Sequence, residues 1–164
     1  MGTPYLITAS DLRDLGDDPK LRVVDATVHL RFGDGAPQIE SGQESYLAGH
    51  IPGAVFVDQL TALTDPDGDA PFAVASSEQF AAAVGAAGVG DDSRVVVYDS
   101  ENGIWATRLW WQFGFEGFDN VAVLDGGLQA WEAAGGAVES GPPPRRAFWS
   151  SISSRARFWT RRAS

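Results

Sequence analysis

Apolar residues gather in four short runs: LRVVDA at 21–26, GAVFV at 53–57, RVVVYD at 94–99 and VAVLD at 121–125. Each is valine-rich, bounded by turn-forming residues and short for a helix, so each predicts a buried parallel strand. Between the second and third runs, Ser76-Ser77-Glu78-Gln79 opens the segment FAAAVGAAG. A serine followed three residues later by glutamine, just before an apolar-periodic run, is a capping-box pattern. It predicts a helix from about Ser77 to Ala87, closed by Gly88. From Ile104 to Phe115, helical periodicity places Trp105, Leu109, Trp110 and Phe113 on one stripe. A further short helix is predicted from Gly127 to Ala134, ended by Gly135-Gly136, and Thr8 can cap a first helix running through Asp11, Leu12 and Leu15.

Strands alternating with helices at these lengths predict an α/β domain with a parallel sheet covered on both faces. Ligands of such sheets bind outside the carboxyl ends of the strands, so the residues that follow each run matter most. The stretches 33–43 and 64–71 are acidic loops bearing glycine and proline, and no chemistry is assigned to them; His29 is taken as a loop residue.

At 164 residues the chain has room for one such domain, and 44% hydrophobic with 21% charged residues is the profile of a folded protein. No apolar run reaches the ~18–20 residues of a membrane span. The start, MGTPYLITASDLRD, has neither a basic region nor an apolar signal core, so a cytoplasmic location is expected. The complete absence of cysteine excludes disulfides, thiolate metal sites and thiol nucleophiles together. No metal and no cofactor is predicted.

Charge divides the chain. Residues 1–144 hold all 22 acids against six bases, a net −16, whereas residues 145–164 hold six arginines and no acid, a net +6. The acidic body repels nucleic acid and anionic membranes, so neither is an expected partner. Gly141-Pro142-Pro143-Pro144 is a stiff spacer, and composition changes abruptly beyond it.

Four aspartates end the apolar runs: Asp25, Asp58, Asp99 and Asp125. The plain reading is that each bonds nearby backbone amides and starts the next turn or helix. The alternative is a carboxylate edge holding magnesium or accepting phosphate, but the single lysine, Lys20, precedes the first strand. The loop Asp99-Ser100-Glu101-Asn102-Gly103 leads into the helix beginning at Ile104, whose amino end favours an anion. Two carboxylates in that loop oppose one, which makes it a cradle filled from within. His50 precedes a Pro52-Gly53 turn; a structural, hydrogen-bonding role is preferred to that of a general base, because no nucleophile motif accompanies it. Arg108 either pairs with a neighbouring acid or faces an anionic substrate near the strand edge.

Taken in order, LRVVDAT, YLAGHIPGAVFVD, VVVYDSENGIWATRLWW and VAVLDGGLQAWEAAGGAVE resemble the rhodanese family from about Leu6 to Val138. The resemblance is strongest to the first, non-catalytic domain of two-domain thiosulfate/3-mercaptopyruvate sulfurtransferases. It implies a three-layer α/β fold with a central parallel sheet of about five strands over residues 5–140, followed by a spacer and basic tail at 141–164. In that family a cysteine after the VVVY-type strand carries the sulfur as a persulfide, and here the position is Asp99. The active-site loop is then represented by Asp99, Ser100, Glu101, Asn102, Gly103 and Ile104, with no catalytic residue among them. Arg108 is the candidate for substrate orientation, and His50, Pro52, Gly53, Asp125, Gly126 and Gly127 are structural motif residues.

The partners implied are a cysteine-bearing second rhodanese domain and, in the intact family enzyme, a small anionic sulfur donor. In isolation, the face meant for a second domain is expected to cause self-association. A stand-alone protein-binding or regulatory role is the rival reading. For the tail, a basic interaction arm is one expectation; a frame-shifted or prematurely ended coding sequence is the preferred one.

Overall fold

The four valine-rich runs all enter one sheet. They form β2 (Leu21–Asp25), β5 (Val55–Phe56), β6 (Arg94–Tyr98) and β7 (Val121–Leu124) in a computed structural model that describes residues 5–142 apart from 17, 66 and 70–72. A fifth strand, β1 (Leu6–Ile7), pairs with β7. The order is β1-β7-β6-β2-β5 and every pair is parallel. A central parallel sheet is therefore present, as the alternation of strands and helices predicts, and it has the five strands that the family resemblance implies. The basic tail beyond 142 and part of the loop at 64–71 lie outside the described residues.

Strand periodicity decides which side chains meet which layer. Along β6, Val95 and Val97 point into one core with Phe80, Val84, Leu109 and Phe113, whereas Val96 and Tyr98 point into a second core with Leu12, Tyr46 and Trp131. The first core is covered by α3 (Ser77–Ala86) and α4 (Ile104–Phe115), the second by α1 (Ala9–Asp14), α2 (Gln43–Ala48) and α5 (Gly127–Ala133). Leu109 and Phe113 are completely buried, and each such side chain contributes about 1.5–3 kcal/mol by leaving water.

Four local expectations need correction. The buried stripe of α4 is Ala106, Leu109, Gln112 and Phe113; Trp105 and Trp110 flank it half-buried. Ser76 caps α3 by accepting from Gln79 N at 3.1 Å, but the Gln79 side chain does not complete a reciprocal box. It donates instead to Thr64 O at 2.9 Å, tying the helix start to the preceding loop. The stretch 33–43, expected to be an acidic loop, contains β4 (Gln38–Ser41), which pairs antiparallel with β3 (Val28–Arg31) just before it. His29 accordingly sits on a strand rather than in a loop.

Candidate functional site

The carboxyl ends of β6 and β7 open into a cavity of about 590 Å³. Its wall includes Asp99, Glu101, Asn102, Gly103 and Ile104 from the loop after β6, and Asp125, Gly126 and Gly127 from the turn after β7. Those two sequence-predicted groups are brought together; His50, Pro52, Gly53 and Arg108 do not line the cavity.

Asp99 is 1% exposed, and its carboxylate occupies the space its own loop encloses. Oδ1 accepts from Glu101 N at 2.9 Å and Gly103 N at 3.0 Å, and Oδ2 accepts from Ala106 N at 2.9 Å. The amides at the amino end of α4, which would otherwise face an incoming anion, are satisfied by an internal one. Gly103 makes this possible as the helix cap, at φ +90, a left-handed conformation with no penalty for glycine.

The turn after β7 is fitted to the same point. Leu128 N donates to Asp99 O at 3.2 Å, and a Cβ on Gly127 would stand 2.4 Å from that oxygen. Gly126 and Gly127 both have positive φ, +79 and +61. The Asp-Gly-Gly sequence thus allows two strand-end loops to touch backbone to backbone.

Beneath the loop lies a buried polar network that sequence reasoning did not find. Asp25 is 2% exposed and its Oδ1 accepts from Thr27 N at 2.9 Å and Thr27 Oγ1 at 2.5 Å. Thr27 Oγ1 in turn accepts from Ser100 N at 3.0 Å. Tyr98 bonds to Asp25 through its hydroxyl and accepts from Ile51 N at 3.2 Å. Gln59 bolts the end of β2 to the start of α4, donating to Ala26 O and Trp105 O, each at 2.9 Å. Apart from the Asp25-Thr27 contact, the links in this network run between distant parts of the chain, so a linear pattern carries no signal for it.

Burial pushes the Asp25 carboxyl above its ordinary 3.8, against hydrogen bonds from Thr27 and Tyr98 that favour the ionised form. Burial likewise raises the phenols, Tyr46 to about 12. A raised carboxyl in the native state binds its proton more tightly than in the unfolded chain. Its contribution to stability is therefore complete below 3.8 and is lost as pH rises through the raised native value. Asp25→Asn keeps an acceptor for Thr27 and removes the desolvated charge. Its melting temperature at pH 7 is expected to equal or exceed the parent's, with a flatter pH profile above about pH 4. A variant that melts several degrees lower at pH 7 would refute this assignment.

The remaining candidates have other surroundings. Asp58 accepts from Leu60 N at 3.0 Å, a local turn contact. Among the described residues, no group of three His, Asp or Glu side chains is placed to hold a metal. His50 is fully buried, stacked on Tyr46 at 4.0 Å, with Nδ1 2.7 Å from Tyr46 O and Nε2 3.3 Å from Glu139 Oε1. Glu139 also accepts from Gly53 N at 2.9 Å, so the Pro52-Gly53 turn is tied to the end of the domain. Arg108 is half-buried on α4, and burial lowers its affinity for the proton.

A family model described as rhodanese-like domain matches residues 8–134. The 3-mercaptopyruvate sulfurtransferase of Escherichia coli K12 is 36% identical over 132 residues, which are 80% of this chain and 45% of that protein. Thiosulfate/3-mercaptopyruvate sulfurtransferase 2 of Arabidopsis thaliana is 39% identical over 123 residues, 75% of this chain and 34% of that protein. Among solved structures, SseA from Escherichia coli, a 3-mercaptopyruvate sulfotransferase with the rhodanese fold, superposes with a TM-score of 0.69 at 35% identity. That match covers 85% of this chain and 52% of the other. The chain thus spans about half the length of such relatives, or less.

Proposed function

The chain belongs to the rhodanese-like domain family and is related to the thiosulfate and 3-mercaptopyruvate sulfurtransferases; from that premise we propose that it is a member silent in sulfur transfer. One observation carries the proposal: the Asp99 carboxylate fills the loop and engages three of its backbone amides, in a chain with no cysteine. Sulfur transfer needs a thiolate that can become a persulfide, and a carboxylate oxygen cannot take that place.

Electrostatics support the same reading. Among the described residues, the cavity wall carries Asp99, Glu101 and Asp125 and neither lysine nor arginine, so an anionic sulfur donor meets carboxylates there. Arg108, the candidate for orienting such a donor, is outside that wall.

The proposed unit extends over about residues 5–140. Its carboxyl end is fastened by His50 N donating to Glu139 O at 2.8 Å and Glu139 N returning to His50 O at 2.9 Å. Its role is to support a cysteine-bearing second rhodanese domain and help shape the opening to that domain's site, where a small anionic donor reacts. Among the described residues no helix is long and apolar enough to cross a membrane.

Thiosulfate-to-cyanide transfer and 3-mercaptopyruvate desulfuration by the purified chain, measured as thiocyanate and sulfide, are expected at the level of a protein-free blank. Turnover dependent on folded protein and clearly above that blank would overturn the proposal.

A further inference from the structure

Beside the strand-edge cavity, whose wall includes Glu101, three side chains from three separate elements meet. His29 of β3 places Nδ1 against Glu101 Oε1 of the loop after β6, and its Nε2 lies 2.9 Å from Ser45 Oγ of α2. The order is an acid on one ring nitrogen and a hydroxyl on the other.

The acid decides the tautomer. An ionised carboxylate only accepts hydrogen bonds, so Glu101 selects the imidazole that carries its proton on Nδ1. Nε2 then presents a lone pair, and the Ser45 hydroxyl is the donor that meets it. Ser45 Oγ also lies 2.8 Å from Gly42 O, which receives the hydroxyl proton when Nε2 is itself protonated. The same geometry therefore suits both states of an imidazole that takes up and returns a serine proton. The His29 side chain is 17% exposed and Ser45 is half-buried, so the base is largely shielded from solvent.

We propose that Ser45, His29 and Glu101 form a reactive centre in which Ser45 accepts an acyl group from a small, uncharged, activated ester. Ser45 Oγ attacks the ester carbonyl carbon, forming a carbon–oxygen bond as its proton passes to His29 Nε2. Collapse of the adduct breaks the bond to the leaving oxygen, which takes that proton. Water then repeats the sequence on the acyl-serine, releasing the carboxylic acid and restoring the hydroxyl. Glu101 is a positioning residue that holds the tautomer and faces the imidazolium as it forms.

The ester is uncharged because carboxylates surround the centre. Glu101 is in contact, Glu44 adjoins Ser45 in α2, and Glu40 faces His29 across the β3–β4 pair with its charge partly offset by Arg31 at 3.0 Å. The described hydrogen bonds give this centre no backbone donor for an oxyanion, so prompt acylation with slow release is expected rather than fast turnover. This reading does not depend on sulfur chemistry; Asp99 enters it only by holding the loop that carries Glu101.

The test is to expose the full chain to p-nitrophenyl acetate and, separately, to a fluorophosphonate probe, and to locate the adduct by mass spectrometry. About one equivalent on Ser45 is expected. His29→Gln should slow it roughly 10²-fold or more. Glu101→Gln should slow it measurably and Glu101→Asp should recover part of the rate, a pattern that a purely structural role for Glu101 does not produce. Site location on the parent chain stands even if Ser45→Ala misfolds. An adduct on Lys20 or spread over several residues, a rate no greater than that of the denatured chain, or an unchanged rate in His29→Gln would each overturn the proposal.

Discussion

Asp99→Ala is expected to destabilise the domain by about 3–5 kcal/mol, because it strands three backbone donors that have no other partner among the described residues. Each buried donor left without an acceptor costs about 1–3 kcal/mol; water entering from the cavity relieves Glu101 N and Gly103 N more readily than the buried Ala106 N. For a domain of this size the change corresponds to a fall of roughly 10–20 °C in melting temperature. Asp99→Asn retains one oxygen and should fall between parent and alanine variant, since a single amide oxygen can serve Glu101 N and Gly103 N but not also Ala106 N. Urea unfolding of the three proteins checks the order. An alanine variant within about 1 kcal/mol of the parent would mean that the loop does not rely on this carboxylate.

The second large effect is expected at Gly127. A methyl group there meets Asp99 O at 2.4 Å, and the backbone at φ +61 is already costly for an L side chain. Strain of about 1–2 kcal/mol and overpacking of about 1–3 kcal/mol act together, so Gly127→Ala should lose about 2–5 kcal/mol. Gly103→Ala supplies the comparison, because Gly103 also has positive φ but its Cβ would enter open space. It should lose only the strain part. If thermal unfolding shows the two variants equally destabilised, the close approach of the two loops has no energetic weight.

Much of the scaffold is legible in the sequence because burial on both faces leaves a local mark. RVVVY and VAVL are apolar at every or nearly every position, as strands between two helical layers must be. Pairs that depend on distant partners leave no such mark. Leu6–Ile7 becomes a strand only because β7 offers it an edge. The hairpin escapes notice because Leu30 and Ile39, directly paired, are both substantially exposed, so no apolar run announces it.

The site divides in the same way. Asp99 is legible as the residue after a strand and before a helix, where a carboxylate has amides to accept from. Thr27, Tyr98 and Gln59 are not, since their functional contacts lie 73, 47 and 33 residues away. His29 is the clearest case: its two partners are 16 and 72 residues distant, and a polar residue on a short exposed strand looks like any other surface histidine.

The carboxylate in the loop can also be regarded as a tethered competitor. A free anion at millimolar concentration contends with a ligand that is covalently attached, already oriented and paired with three donors. The effective concentration of such a group far exceeds the millimolar range reached through a flexible linker. Raising the concentration of a sulfur donor therefore does little to open the cradle. Vacating it requires changing residue 99, and with it the element that holds the start of α4 in place.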